Sequence, residues 1–379
     1  MKKAAQLAIL QVLPRMNLNG GVEKGTLEIA EALQKQSIKN YVASNDGAGV
    51  ALLKRKKIPH ILLPLDTKNP FKMFINAFKL KKVIKENHIT LVHVRSRAPA
   101  WSVKWACRWA HVPYIGTFHG AYGVKPALKK KYNKALLQGK CVIAVSDFIK
   151  QHILDNYQID PQKIIRIYRG ADLNQFNLET LQTFRVTELF EKYQIPPEKP
   201  IICLPSRLSR VKGHLVLLKA LTLMKHKDVT CLFFSAEKGK EDFQKQVDVA
   251  ISQLSKETTL ISLKNGIDMP ALYALSDIVL NARITPEAFG RTTCEAQAMG
   301  CLVVGTAHGG TCELIEDGKT GFLVPPNDPE ALAEILDKLI EMPLAKRKKI
   351  AQNAIQSVQE NFSIDKMCQQ TINVYKEFG

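Results

Sequence analysis

The chain has 379 residues, 46% of them hydrophobic and 7% aromatic, with 54 Lys and Arg against 35 Asp and Glu for a net charge of +19. At about 100–200 residues per domain the length predicts two domains, and the apolar content excludes wholesale disorder and collagen-like order. No run approaches the roughly 18–20 apolar residues that cross a bilayer, and eight scattered cysteines without a C-x-x-C pair read as reduced thiols of a cytoplasmic protein.

The first residues, MKKAAQLAILQVLPRMN, superficially suggest a signal peptide. The apolar stretch at 7–13 is short and no small-residue cleavage site follows, so it reads as a first buried strand. A Gly-containing loop and a helix over 22–34 come next. Further β-like runs fall at 41–44, 90–94, 113–117, 141–145 and 164–168, with helical stretches at 71–87 and 126–137. The second half repeats the scheme, with strands at 201–204, 230–235, 259–263, 277–281, 301–305 and 321–324. Helices fit 213–224, 238–253, 269–275, 292–299 and 329–341. Strands alternating with helices predict βαβ units and parallel sheets, hence α/β architecture in two doubly wound domains facing each other across a cleft. A polar stretch of weak periodicity at 170–200 separates the halves. Boundaries at 1–170 and 171–362 follow, with a C-terminal helix at 363–379 expected to cross back to the first domain.

The charge is uneven. Residues 1–175 hold 30 bases and 10 acids, net +20, while 176–379 hold 24 and 25, net −1. A polyanionic partner of the first half is implied, either nucleic acid or an anionic lipid surface.

The densest chemistry lies in ITPEAFGRTTCEAQAMG at 284–300. A buried strand leads into a Pro/Gly loop and then a short helix. The amides of Gly290 to Thr293 would be unpaired donors at the helix start, a place that binds phosphate through free N–H groups and the positive dipole end. Glu287 and Glu295 would bracket that site and accept from sugar hydroxyls. The plainer reading, a loop acid and a helix-dipole acid, would win for an isolated pair. The pair is not isolated: PSRLSRVKG follows the second half's first strand and puts Arg207 and Lys212 at a strand's carboxyl end, suited to a departing diphosphate.

Arg207-x4-Lys212, Glu287-x7-Glu295 and the run GTAHGGTCELIEDGKTGFLVPPNDPEALAEIL together resemble the donor half of retaining glycosyltransferases of family four, which have the GT-B fold. The likeness extends to the first half through Gly20-Gly21-Val22-Glu23, TFHG at 117–120 and VIAVSDFIK at 142–150. It implies that Arg207 and Lys212 neutralise the leaving nucleotide diphosphate, that Glu295 meets the ribose, and that Glu287 holds the donor sugar. Backbone of Phe289, Gly290, Arg291 and Thr292 would touch sugar and phosphate. Gly20 and Gly21 would allow close backbone approach, and His119 would reach the donor sugar. The segment Tyr168-Arg169-Gly170-Ala171-Asp172 departs from the Pro-Asn-Gly-Val-Asp common among relatives, which puts any side-chain role there in doubt.

No Asp-x-Asp is present, the usual means of holding a divalent ion against a diphosphate, so no metal and no cofactor are expected. The donor would be a UDP- or GDP-sugar. Retention of configuration is implied by the resemblance alone. For the acceptor, Arg95 and Arg97 of HVRSRAPAW lie just past a strand end, and RSRAPAW resembles the segment of lipopolysaccharide-core sugar transferases. Two basic stretches, 70–87 and 125–140, suit an anionic membrane surface, the second more by its density of lysines. The expectation is a glycolipid acceptor and a peripheral site on the inner face of the plasma membrane. A dehydrogenase is disfavoured because GGVEKG is not G-x-G-x-x-G, and a nucleic-acid partner because no binding module is recognisable. A nucleotide-sugar epimerase or a phosphorylase of the same fold and a non-catalytic basic binder remain as alternatives.

Overall fold

Runs rich in Val, Ile and Leu form the parallel strands expected of sheets covered by helices on both faces. A computed structural model describes residues 6–17, 20–234, 241–264 and 266–379. The end of the expected strand at 230–235 and the start of the expected helix at 238–253 therefore lie partly outside the described residues. The chain divides into two units, Met1–Arg169 with Ile364–Gly379, and Gly170–Ser363.

The first unit runs β1 (Ala8–Arg15), α1 (Gly21–Lys35), β2 (Lys39–Asn45), α2 (Gly49–Arg55), β3 (His60–Leu62), α3 (Pro70–Glu86), β4 (Leu91–Val94), α4 (Arg97–Ala110) and β5 (Tyr114–Phe118). It continues with α5 (Ala127–Asn133), β6 (Val142–Ala144), α6 (Asp147–Asn156) and β7 (Ile164–Arg166). The sheet order among the described residues is β3-β2-β1-β4-β5-β6-β7. The order reverses between β1 and β4, whose parallel register pairs Ile9 with Leu91 and Val12 with Val94.

The second unit runs α7 (Thr183–Tyr193), β8 (Ile201–Leu204), α8 (His214–Leu223), β9 (Thr230–Phe234), α9 (Glu241–Ile251), β10 (Thr259–Leu263), α10 (Met269–Ala274) and β11 (Ile278–Asn281). Then come α11 (Arg291–Ala298), β12 (Leu302–Thr306), α12 (Thr311–Leu314), β13 (Phe322–Val324), α13 (Pro329–Ile340) and α14 (Leu344–Asn361). Its order, β10-β9-β8-β11-β12-β13, reverses between β8 and β11. In sheets of this kind ligands bind beyond the carboxyl ends of the two strands at the reversal. The last helix, α15 (Ile364–Phe378), belongs to the first unit, where Met367, Ile372 and Tyr375 join a core with Ile9, Ile29 and Leu91.

Several elements depart from the expectation. The polar stretch at 170–200 is not a plain separator: it contains α7, whose one buried residue is Leu189, too little to give a periodic signal. Arg185 of α7 forms a bidentate pair with Asp268, at 2.7 and 2.8 Å, and Asp268 also caps α10. Residues 97–110, to which no element was assigned, form α4. The expected helix at 126–137 breaks into α5 and a 3-10 turn over Lys134–Leu137, because Ala135 and Leu136 turn into the core beside Gly116.

Candidate functional site

In the second unit, the chain leaving β8 makes a short turn over Arg210–Lys212 before α8 begins. Gly213 closes that turn at φ +78°, and a β-carbon there would run into the Ala282 carbonyl just beyond β11. The amide of Ile284 donates to the Val211 carbonyl at 3.1 Å. These two contacts set the loops after β8 and β11 side by side at the reversal of the sheet.

Lys212 is thereby brought to Glu287, Nζ to Oε1 at 3.5 Å. The same carboxylate accepts from Arg283 Nη1 at 3.2 Å and, through Oε2, from Asn281 Nδ2 at 3.0 Å. Burial would push the Glu287 carboxyl up, but Lys212, Arg283 and Asn281 outweigh it and hold it below the ordinary range. Two cations on one carboxylate leave about one positive charge to be met by an anion. The Glu287 carbonyl accepts from Gly310 at 2.8 Å, and a β-carbon on Gly309 or Gly310 would lie 2.6 Å from the carbonyl of Glu287 or Ala288. The glycine pair of the AHGGT segment thus lets a second loop clamp residues 287–289.

Gly290, at φ +103°, opens α11. The first amides of a helix come before its ladder of hydrogen bonds, and in α11 that ladder begins with the Cys294 amide donating to Gly290 at 3.1 Å. Thr293 accepts from Asn281 at 3.0 Å, tying the helix start to the Glu287 cluster. Phe289 is buried, its ring 6.0 Å from that of Phe362. Arg291 and Thr292 are half-buried. Glu295 is only 7% exposed: its Oε2 accepts from the Tyr273 hydroxyl at 3.4 Å and its Oε1 lies 3.7 Å from Arg291 Nε. Arg207 is exposed on the loop after β8. Sequence reasoning missed Arg283 and the side chains of Asn281 and Thr293. The nearest signal was Arg283 two residues past a strand end.

The first unit carries the remaining candidates. Gly20 is the residue before α1 and Gly21 its first residue. The Glu23 carboxylate folds back over Gly20, so that a β-carbon there would lie 2.5 Å from Oε2. Burial raises the Glu23 pKa. One turn on, Gly25 is pressed against two guanidiniums, with a β-carbon position 3.0 Å from Arg95 Nη2 and 3.4 Å from Arg169 Nη1.

Arg95, expected as an accessible acceptor residue, is fully buried. It donates to Gln11 Oε1 at 3.1 Å, and burial lowers its pKa although Tyr375 and Glu28 act the other way. Arg97 instead lies over the Tyr122 ring at 4.1 Å. His119, just past β5, receives Arg169 Nη2 at 2.9 Å on Nδ1, with Nε2 at 3.3 Å. A guanidinium has only donors, so it can bond this ring only while one imidazole nitrogen is unprotonated. Burial, Arg169 and Arg95 hold His119 well below the ordinary histidine range. His93, buried beside it, bonds Tyr375 and Thr117 at 2.6 Å each and is likewise held low by burial and both arginines.

Among the described residues no three His, Cys, Asp or Glu side chains group as metal ligands would, and no helix is long and apolar enough to cross a membrane.

Two like-ordered sheets with charged loops at each reversal define a GT-B sugar-transferring enzyme, and comparison with known proteins agrees. Residues 185–357 match the glycosyl transferases group 1 model and residues 19–175 the glycosyltransferase family 4 model. The crystal structure of a glycosyltransferase from Rickettsia africae ESF-5 is 40% identical, covers 99% of each chain and superposes with a TM-score of 0.92. D-inositol 3-phosphate glycosyltransferase of Salinispora tropica is 26% identical, over 94% of this chain and 81% of its own length. Anabaena Alr3699/HepE, solved with UDP-glucose, shares the fold at 23% identity, a TM-score of 0.83, and 98% and 100% coverage. The chain belongs to the GT-B glycosyltransferases, with a family 4 domain followed by a group 1 domain.

Proposed function

We propose that the enzyme moves a hexose from a nucleotide diphosphate sugar to a membrane-associated glycolipid, the lipopolysaccharide core or a related acceptor, with retention and without a metal ion. One observation carries the reading: Lys212, Arg283 and Glu287 converge at the strand reversal of the group 1 domain, beside the start of α11. That cluster offers one uncompensated positive charge and helix amides to a diphosphate. Glu287 accepts hydroxyls of the sugar and Glu295 those of the ribose. HepE's complex with UDP-glucose supports the donor class.

In the reaction the bond from C1 of the sugar to the diphosphate oxygen breaks, and an acceptor oxygen bonds C1 on the same face. The acceptor's proton passes to the departing phosphate oxygen. Lys212 and Arg207 stabilise the negative charge that grows on that oxygen, an effect worth about 3–4 kcal/mol for one well-placed donor. His119, held neutral, shares a hydrogen bond with a sugar hydroxyl rather than acting as an acid. The net +20 on residues 1–175 supports an anionic membrane partner on the inner face of the plasma membrane.

The test is a screen of UDP- and GDP-sugars with a lipid-A-type acceptor, read by mass spectrometry, with the anomeric configuration read by NMR. The expected product is the acceptor plus one hexose, of retained configuration, unaffected by chelator. An isomerised nucleotide sugar with no acceptor product would favour the epimerase.

A further inference from the structure

Helix α3 carries two apolar stripes. Met73, Ala77, Leu80 and Ile84 are buried, which accounts for the helix's place in the fold. The second stripe stays out of the core: Phe71 is 71% exposed, Phe74 43%, Ile75 39% and Phe78 51%. Helix α4 lies alongside, and its Trp101, Trp105 and Trp109, four residues apart, share one face. Phe74 meets Trp105 and Trp109 edge-on at 6.0 and 5.6 Å, Phe78 lies 4.7 Å from Trp109, and Trp101 is 5.7 Å from Trp105. Five rings thus form one connected surface.

Cations surround it. Lys79, Lys82, Lys85 and Arg108 are exposed, and Lys104 sits 4.8 Å over the Trp101 ring. The one acid on either helix is Glu86, which Lys82 meets at 3.7 Å.

We infer that the α3–α4 face docks on the headgroup region of an anionic bilayer. Phe71, Phe74 and Phe78 are exposed and the three Trp residues beside them half-buried, and contiguous apolar surface left at the solvent marks an interaction site. Phe and Trp among Lys and Arg is the composition that sits at a membrane interface, with rings below the headgroups and cations against lipid phosphates. A second copy of this chain fits poorly, because a two-fold contact would press the cationic rim against itself. The other basic segment, at 125–140, exposes its lysines but spends Ala135 and Leu136 on the core. It lacks an aromatic face. The inference rests on the proposed membrane partner but not on sugar transfer, and it is tested without donor or acceptor.

The chain's three tryptophans all lie on this face, so the unmodified protein reports its own docking. Added to phosphatidylglycerol–phosphatidylethanolamine vesicles, its emission should shift to the blue and be quenched by brominated acyl chains, and phosphatidylcholine vesicles should do neither. Raising salt from 0.1 to 1 M, which shortens the Debye length from about 10 to about 3 Å, should reverse most of the effect. Phe71→Ser with Phe78→Ser should weaken flotation with anionic vesicles at least tenfold while the circular dichroism is unchanged. Should that variant not fold, Lys79→Glu with Lys82→Glu and the unmodified chain's quenching decide the matter. Co-flotation with tryptophan emission unmoved would place docking elsewhere and overturn the inference. Absence of flotation would overturn it too, as would a dimer, seen by light scattering, that the phenylalanine substitutions dissociate.

Discussion

Both units reverse their strand order at the same step, yet they surround that step with different electrostatics. In the second unit Lys212 and Arg283 converge on the Glu287 carboxylate. In the first, Arg169 donates to the ring of His119 and the sulfur of Met367, and Arg95 to the amide of Gln11. One region holds its carboxylate charged with cations, and the other holds its imidazoles neutral by burial, with cations adding to it. The difference teaches that sheet order fixes where loops gather, while a few residues decide whether the place suits a diphosphate or a hydroxyl.

The comparison breaks most severely if the loops of the second unit come apart. Gly213→Val adds a side chain at φ +78° and drives it into the Ala282 carbonyl. A loss of roughly 3 kcal/mol in urea denaturation is expected, and wild-type stability would show that the turn does not rest on Ala282.

Next in size is the response to acid. His93 and His119 have folded pKa values below the unfolded value, so the unfolded chain binds more protons as pH falls below about 6.5. Their stability contribution is complete above that pH and is lost below it, at up to about 1.4 kcal/mol per pH unit for each ring. Replacing both by Gln should flatten the slope between pH 6.5 and 5, whatever it does to stability at pH 7. A slope that survives would contradict neutral imidazoles. Arg169→Asn sharpens the same point: the His119 NMR titration should move up toward the ordinary range, and an unmoved titration would separate Arg169 from the ring's state.

The smallest effect belongs to Asp268, held below the usual carboxylate range because Arg185 and the Ala271 amide outweigh the burial that raises it. Asn at 268 keeps the cap on α10 and loses the ion pair. A cost of about 0.5–1 kcal/mol at pH 7 is expected, vanishing as pH falls through the carboxylate's folded pKa. A cost that persists in acid would mean the pair is not its source.

Much of the architecture was legible because each βα unit repeats a short apolar run and a breaker. β3, three residues long, gave no such signal. Helix α4 was hidden by Pro99 and by Trp and Cys residues of modest helix propensity, and α14 by a dense run of charge around Ile350, Ala354 and Val358. Lys212 and Glu287, read together through the family resemblance, lie 3.5 Å apart. Arg283 and Asn281 were not foreseen, because their meeting with Glu287 depends on how the loop past β11 folds back. Arg95 was misread since a loop arginine is usually exposed; its burial comes from Gly25 and from Tyr375, far along the chain.

Lys212→Ala tests the central claim most directly, through turnover of the nucleotide sugar alongside thermal unfolding. The account predicts a fall of about a hundredfold or more, with Tm within a few degrees of wild type, since one charge-stabilising donor is removed from a half-exposed position. Turnover near wild type in a folded variant would contradict it.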